Sequence, residues 1–192
     1  MINKKIFALL LFVTAVSMCA GSFFEVLMVG TGKEQLMEFL SASFTLDNPF
    51  GFFPLLINSL KSNYKIYLFL LISPVLPLLV ITYPFICISK GLSVGFSSTM
   101  LIETFGIGGI LHIITTIMPH NVMQMLIFCV LSTASIQMAM DFFKFYFQKN
   151  QRKRNKSALQ ISIRHFLVIF AVSFVILFIS CLMEAFLKQF LL

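Results

Sequence analysis

Two long stretches of this chain lack charged side chains and constrain its fold more than any other feature. Residues 66–89 hold no Lys, Arg, Asp or Glu, and residues 104–140 hold none either, although two histidines occur there. A bilayer core of about 30 Å is crossed by roughly 20 apolar residues in a helix. The chain is 59% hydrophobic and only 11% charged, against about 25% charged residues in ordinary soluble domains. We therefore predict one all-α, polytopic membrane domain over residues 1–192.

Five membrane-spanning helices are predicted from the apolar stretches. Their approximate ranges are 6–29, 66–88, 91–118, 122–145 and 166–187. Pro74, Pro77 and Pro84 fall inside the second range and predict a kinked helix, because each proline removes a backbone donor. Gly106, Gly108 and Gly109 interrupt the third range, which is either one discontinuous span or two half-helices. We favour one crossing over a re-entrant hairpin there.

The two longer connections predict the orientation of the chain. Residues 30–65 read as an amphipathic outer connection with balanced charge, and residues 146–165 form a basic loop. The basic residues that set the topology are Lys149, Arg152, Lys153, Arg154 and Lys156. Such residues are retained on the cytoplasmic side, where they can also contact anionic lipid headgroups. The N-terminus is therefore expected inside and the C-terminus outside, with the bilayer rather than nucleic acid as the partner of the basic residues.

Small and polar residues recur on single faces of the predicted spans. We interpret them as a seam for helix packing or partner contact, formed by Gly91, Gly95, Glu103, His112, Pro119, His120, Asn121, Gln124, Ser132, Ser135 and Glu184. Polar groups within a bilayer mark packing surfaces or pathways. A pathway for an ion or substrate is the alternative, with Glu103 and His112 as a proton-coupled pair.

Two local expectations accompany the seam. Glu103 should lie deep in the membrane beside the glycine break and be neutral, since ionisation there is costly. Pro119, His120 and Asn121 should form a turn, with Asn121 capping the following helix.

The sequence contains no recognisable catalytic, cofactor or metal-binding motif. It lacks the HExxH pattern of intramembrane zinc sites and the Gly-x-Ser-x-Gly turn of serine hydrolases. The four cysteines form no CxxC pair and are expected to pack among apolar residues. A non-enzymatic protein without a cofactor is therefore expected.

Three segments resemble the stage II sporulation protein M family. The segment Ser89-Lys90-Gly91-Leu92-Ser93-Val94-Gly95-Phe96 is similar to the family's "KG…VGF" pattern. Residues 108–118 lead into Pro119-His120-Asn121, like the family's proline turn before a long helix, and Met183-Glu184-Ala185-Phe186 resembles its "IEA" ending. The order and spacing fit from about Tyr67 to Leu192, whereas residues 1–66 match only as one span and an outer loop.

The resemblance implies a five-helix protein of the bacterial cytoplasmic membrane with a cytoplasmic N-terminus and no enzymatic activity. The family's namesake organises cell-wall hydrolases at the septal membrane during engulfment. Shorter relatives occur in circular bacteriocin gene clusters, where they are linked to maturation, export or immunity. The expected function is therefore a scaffold or partner-recruiting subunit of an envelope complex. The alternatives are a bacteriocin component, working with ABC-transport proteins, or a small transporter. A homo-oligomer is a further possible arrangement of this chain.

Overall fold

The fold is a bundle of α-helices. It is seen in a computed structural model that describes residues 3–45, 52–147 and 152–190. The helices are α1 (Lys4–Leu27), α2 (Thr31–Thr45), α3 (Phe52–Ile72), α4 (Thr82–Phe105), α5 (Ile107–His112), α6 (Met118–Phe147) and α7 (Arg152–Phe190). Four segments in the described ranges are long and apolar enough to cross a membrane: Lys4–Leu27, Leu79–Phe105, Met118–Phe147 and Leu159–Leu187. The prediction of an all-α membrane protein is confirmed.

Helices α1 and α4 run in the same direction. Ser22 Oγ of α1 donates to Gly95 O of α4 at 3.2 Å, and Ser17 of α1 faces Gly91 of α4, so these two helices run parallel. We call the end where α1 and α4 begin the proximal end, and the opposite end distal.

Helices α3 and α6 both run antiparallel to α7. Ser59 of α3 bonds to Glu184 of α7, whereas Tyr67, two turns further along α3, donates to Phe170 O. On α6, His120 O accepts a hydrogen bond from Ser180 near the distal end, and Asp141 accepts one from Ser162 near the proximal end. The five long helices, which we call rods, are α1, α3, α4, α6 and α7. Their directions alternate along the chain.

The proline-rich segment is a break between two helices rather than a kink within one. Residues Ser73–Val75 and Pro77–Ile81 form 3₁₀ turns that begin around Pro74 and Pro77. Pro84 lies in the first turn of α4, where its missing N–H is not needed. The second rod is consequently α3, over residues 52–72, and not the predicted span over 66–88. It carries Lys61 and Lys65 and is absent from the four apolar segments, although five spans were expected.

The glycine break in the predicted third span is confirmed at one residue. Gly106 has φ 57° and ψ −127°, ends α4, and donates its N–H to Ile102 O at 2.8 Å. Positive φ is readily available to glycine and costly for other residues. The chain reverses here, since α5 packs back against the end of α4.

The predicted turn at Pro119-His120-Asn121 is wrong. Residues 107–147 are helical throughout, because a π-helical turn over Ile113–Ile117 joins α5 to α6. A π turn widens the hydrogen-bonding pattern next to Pro119, which relieves the clash and the lost donor that proline brings to an α-helix. Asn121 is not a cap: its Nδ2 donates back to Ile117 O at 3.0 Å.

The basic connection is shorter than the predicted loop over residues 146–165. Helix α7 already begins at Arg152, so Arg152, Lys153, Arg154 and Lys156 lie in its first turns. Their side chains and all of Lys149 lie outside what the structure describes. Within the predicted amphipathic connection over residues 30–65, residues 31–45 form helix α2, whereas residues 46–51 lie outside the described residues.

The bundle has an apolar core where α3, α4, α6 and α7 meet. Tyr67, Tyr83, Phe128, Leu131 and Leu177 are buried there, and Cys181 lies beside them. The central helix is α6, which buries side chains on most of its surface. Among the cysteines, Cys87, Cys129 and Cys181 are buried and unbridged, as expected for packing residues, and Cys19 is exposed.

Glycines of α1 and α4 hold these two helices in close contact. A β-carbon added at Gly91 would lie 2.7 Å from Thr14 O, and one added at Gly95 would lie 2.8 Å from the carbonyl carbon of Met18. Gly21 faces Leu92 in the same way from α1. Gly91 and Gly95 therefore belong to a helix-packing surface whose partner is α1.

Candidate functional site

A chain of polar contacts crosses the interior of the bundle, and we call it the interior polar network. Lys90 Nζ of α4 donates to Asn63 Oδ1 of α3 at 2.8 Å, and Asn63 Nδ2 donates to Ser59 O at 3.0 Å. Ser59 Oγ donates in turn to Glu184 Oε2 of α7. His120 Nε2 of α6 lies 3.9 Å from the same carboxylate oxygen. The network thus connects α3, α4, α6 and α7.

The helical period explains why these side chains meet. Ser59, Asn63 and Tyr67 are spaced four apart on α3 and share its buried face. Asn63 and His120 are 3% and 5% exposed. The Lys90 ammonium lies 5.4 Å from the centroid of the Phe128 ring, which adds a cation–π contact. Interior charges in membrane proteins require such compensation, since hydrocarbon cannot solvate them.

Further polar side chains of α6 point into the bundle. Gln124, Ser132 and Ser135 are all buried. Ser135 Oγ donates to Leu70 O at 3.1 Å and so ties α6 to the end of α3. Within the described ranges, Gln124 Nε2 and Ser132 Oγ have no hydrogen-bond partner. The seam predicted on α6 therefore lies inside the bundle, partly bonded and partly unsatisfied.

A second ionic cluster closes the distal end of the bundle. Lys33 Nζ of α2 lies 3.2 Å from Glu25 Oε1 of α1 and 2.6 Å from Glu103 Oε2 of α4. The same ammonium is 3.4 Å from Glu25 O, where α1 ends. A cation at a helix C-terminus also complements the helix dipole. The hydrogen bond to the Glu103 carboxylate raises the pKa of Lys33 above its usual range.

This cluster corrects the expectation for Glu103. Its side chain is 44% exposed, lies near the distal end of α4 and pairs with Lys33, so it is not a deep, neutral group. The buried acid is Glu25, whose side chain is 1% exposed. His112 lies in α5 and packs edge-on against Phe105, with ring centroids 5.8 Å apart.

The proximal end has its own polar group. Asp141 Oδ1 lies 3.7 Å from Lys144 Nζ, and Asp141 Oδ2 accepts a hydrogen bond from Ser162 at 2.5 Å. A cavity of about 340 Å³ opens beside Asp141 and His165. These contacts join α6 to α7 at the end where α1 begins.

Sequence reasoning identified Glu184, His120 and Glu103 as members of the two clusters but missed Lys90, Asn63 and Lys33. One signal was available, because Lys90 is the only charged residue between Lys65 and Glu103. A single lysine in so long an uncharged stretch indicates an interior partner. Nothing local could identify that partner as Asn63, which lies across the break at residues 73–81.

The two clusters can hold helices in register with paired charges. Over the residues described, no group of three or more His, Cys, Asp or Glu side chains is arranged to bind a metal ion. The interior polar network contains one formal cation, Lys90, and one formal anion, Glu184, linked through α3.

Comparison with known proteins gives one match. The protein-family model for stage II sporulation protein M matches residues 7–188. No curated protein and no solved structure matches the chain.

Proposed function

This chain belongs to the stage II sporulation protein M family of sporulation-related membrane proteins, and on that basis we propose that it is a non-catalytic, multi-pass scaffold that recruits partner proteins in the bacterial cytoplasmic membrane. Its helices form a preassembled frame, and its outward faces and connections carry the partner contacts.

The use of interior charges as links between helices carries this proposal. Lys90 is bonded to α3, Glu184 to α3, and Lys33 to both Glu25 and Glu103. Groups engaged in such mutual contacts fix the relative positions of helices, which is what a scaffold requires. A transporter needs its charged groups to exchange partners with the substrate.

The direction of the rods supports the proposed topology. Five alternating rods place the start of α1 and the end of α7 at opposite ends of the bundle. We propose that the N-terminus and the basic segment 146–165 are cytoplasmic, with residues 30–65 and the C-terminus outside. In a cysteine-free background, an impermeant thiol reagent added to intact cells should label Cys at Asp47 but not at Lys153. Labelling at Lys153 from outside refutes this topology.

The scaffold itself is tested by purification from native membranes in a mild detergent. We expect the tagged chain to retain one or more envelope proteins in constant proportion, identified by mass spectrometry. An unrelated multi-pass protein with the same tag is the control. Recovery of the chain without any specific protein contradicts the scaffold.

A small transporter is the second candidate, because Gln124 Nε2 and Ser132 Oγ are buried polar atoms without a partner in the described part of the chain. Gln124→Leu separates the two functions. A scaffold should keep its partner, its stability and its biological activity, since replacing an unsatisfied polar group by an apolar one is tolerated. A transporter using this seam should lose activity while its partner is retained.

A further inference from the structure

Helix α3 presents a lysine at the mid-height of the bundle. Lys65 is exposed, and Tyr67, two residues away, packs against Phe170 and Phe174 of α7 with ring centroids 4.1 and 5.5 Å apart. These phenylalanines lie near the middle of the apolar segment Leu159–Leu187. Lys65 is therefore level with the centre of the apolar helices. Hydrocarbon is a costly environment for an ammonium at this depth.

Lys65 forms one wall of a cleft between α3 and α4. The cleft has a volume of about 660 Å³. Lys65 and Lys90 line it together with the hydroxyl groups of Ser89 and Ser93, and Phe69 and Phe85 provide apolar walls towards the proximal end. None of the described residues that line the cleft is acidic, so the cleft itself offers the Lys65 ammonium no carboxylate.

We propose that this cleft seats a transmembrane helix of a partner protein, and that an acidic side chain in the middle of that helix pairs with Lys65. This inference rests on the proposed scaffold function and names the kind of partner that the scaffold recruits. Apolar side chains of the partner helix pack on the phenylalanines, while its carboxylate meets Lys65 at mid-depth.

Lys65 is the receptor rather than Lys90 because Lys90 is already engaged. The Lys90 ammonium is bonded to Asn63 at 2.8 Å and lies over Phe128. Among the residues described, Lys65 forms no ion pair. An intramembrane carboxylate on a neighbouring helix both neutralises Lys65 and covers it from lipid.

The depth of Lys65 favours a protein helix over an anionic lipid. Lys65 precedes the end of α3 by seven residues, which is roughly 10 Å along the helix axis. The proximal part of the cleft, where a lipid phosphate would enter, is walled by Phe69 and Phe85. Phosphates lie at the membrane surface, whereas a carboxylate on a spanning helix can occupy any depth.

The carboxylate must come from a different protein. Of the seven acidic residues, Glu25, Glu103, Asp141 and Glu184 are engaged within the bundle. The other three are at positions 34, 38 and 47, outside the four apolar segments. Among its described residues, a second copy of this chain therefore offers no unengaged acid at the level of Lys65.

Photocrosslinking to a defined helix tests the proposal. The full chain, with benzoylphenylalanine in place of Phe85, is reconstituted in phosphatidylcholine vesicles. The probe is a Leu/Ala peptide of about 21 residues, long enough to span the bilayer, with one central Glu. We expect at least fivefold more adduct with this peptide than with its central-Gln counterpart. Equal yields overturn the proposal.

Variants of α3 establish the role of the charge. Lys65→Glu and Lys65→Met should both lower the yield to that of the Gln peptide, and a central-Lys peptide should restore it for Lys65→Glu. Lys61→Glu, at an exposed position one turn away, is the matched control and should leave the yield unchanged. Crosslinker at Phe23, which faces outward from α1, should give little adduct with either peptide. An unchanged yield with both Lys65 variants overturns the proposal.

Two further measurements separate the alternatives. If photoactivatable phosphatidylglycerol labels the Phe85 position in a Lys65-dependent manner and displaces the Glu peptide, the occupant is a lipid and the proposal fails. Native-membrane purification distinguishes this inference from the scaffold function. Equal partner recovery by wild type and Lys65→Glu refutes the cleft as the docking site but leaves the scaffold intact. Loss of partner only in Lys65→Glu supports both.

Discussion

Replacement of Gly95 by alanine should separate α1 from α4. The added β-carbon would lie 2.8 Å from the carbonyl carbon of Met18 and closer still to the carbonyl oxygen, whereas ordinary contacts begin at 3.4 Å. The obstacle is backbone, which cannot rotate away as a side chain can. The two helices must therefore move apart by at least about 0.6 Å at this level.

The expected loss of stability follows from that displacement. A radial gap of about 0.5–1 Å removes roughly a quarter to a half of the dispersion energy of each affected contact. Overpacking of this kind costs about 1–3 kcal/mol in well-packed interiors. Ser22 also donates to Gly95 O at 3.2 Å, and this bond lengthens as the helices part.

Thiol accessibility measures the effect without an added probe. Cys87 and Cys129 are buried beside α1, and Cys19 is exposed, so a Cys19→Ser background confines the signal to buried cysteines. A fluorogenic maleimide then reports unfolding during heating in detergent. We expect Gly95→Ala to lower the unfolding midpoint by several degrees.

Gly108→Ala is the matched control for this prediction. A β-carbon at Gly108 meets nothing within 4 Å, and the residue is helical without a positive φ. Alanine is favoured over glycine in helices by up to about 1 kcal/mol, so this variant should equal or exceed the wild type in stability. The tight α1–α4 contact is refuted if Gly95→Ala is as stable as Gly108→Ala.

Three further predictions concern the polar clusters. Lys33→Gln should lower the thermal midpoint because it leaves a buried carboxylate unpaired, and adding Glu25→Gln should recover most of the loss. Because the pKa of Lys33 is raised on folding, the Lys33 ammonium contributes its full stabilisation at neutral pH. This stabilisation is lost only as the pH rises above the ordinary lysine value of about 10.4. The thermal midpoints of wild type and Lys33→Gln, measured by circular dichroism, should therefore converge at such pH. His120→Ala should destabilise more than Asn121→Ala, since His120 is buried beside Glu184 whereas Asn121 bonds only within its own helix; the reverse order in the maleimide assay contradicts this. Lys90→Met should also lower the midpoint, because the amide on α3 loses its donor at a cost of about 1–3 kcal/mol, and an unchanged midpoint refutes an interior polar network.

Several elements of the fold could be predicted from local sequence because their cause is local. Membrane insertion depends on apolar content averaged over a helix, so the class of protein and most of the helical segments follow from hydropathy. Gly106 could be recognised as a breaking point, since a reversal with positive φ favours glycine. The family pattern around Lys90, Gly91 and Gly95 lies on one helix and is equally visible.

Other elements depended on tertiary structure. Proline breaks the chain at Pro74 and Pro77 but is accommodated at Pro119, because a π turn next to it rearranges the backbone bonds. Hydropathy predicted the second spanning helix over residues 66–88, whereas the second rod is α3, over residues 52–72. The polar residues of α3 hide it from a hydropathy average, and the structure accommodates them by burying Ser59 and Asn63 against other helices.

The positions of the charged residues also depended on tertiary structure. Apolar content predicted that Glu103 lies deep in the membrane. The structure instead leaves Glu103 44% exposed and buries Glu25, because Lys33 of α2 lies over the distal end and contacts both carboxylates. Which helix opposes which, and therefore which charge meets which, is decided by contacts between residues far apart in sequence. Hydropathy is a property of each segment alone and carries no information about those contacts.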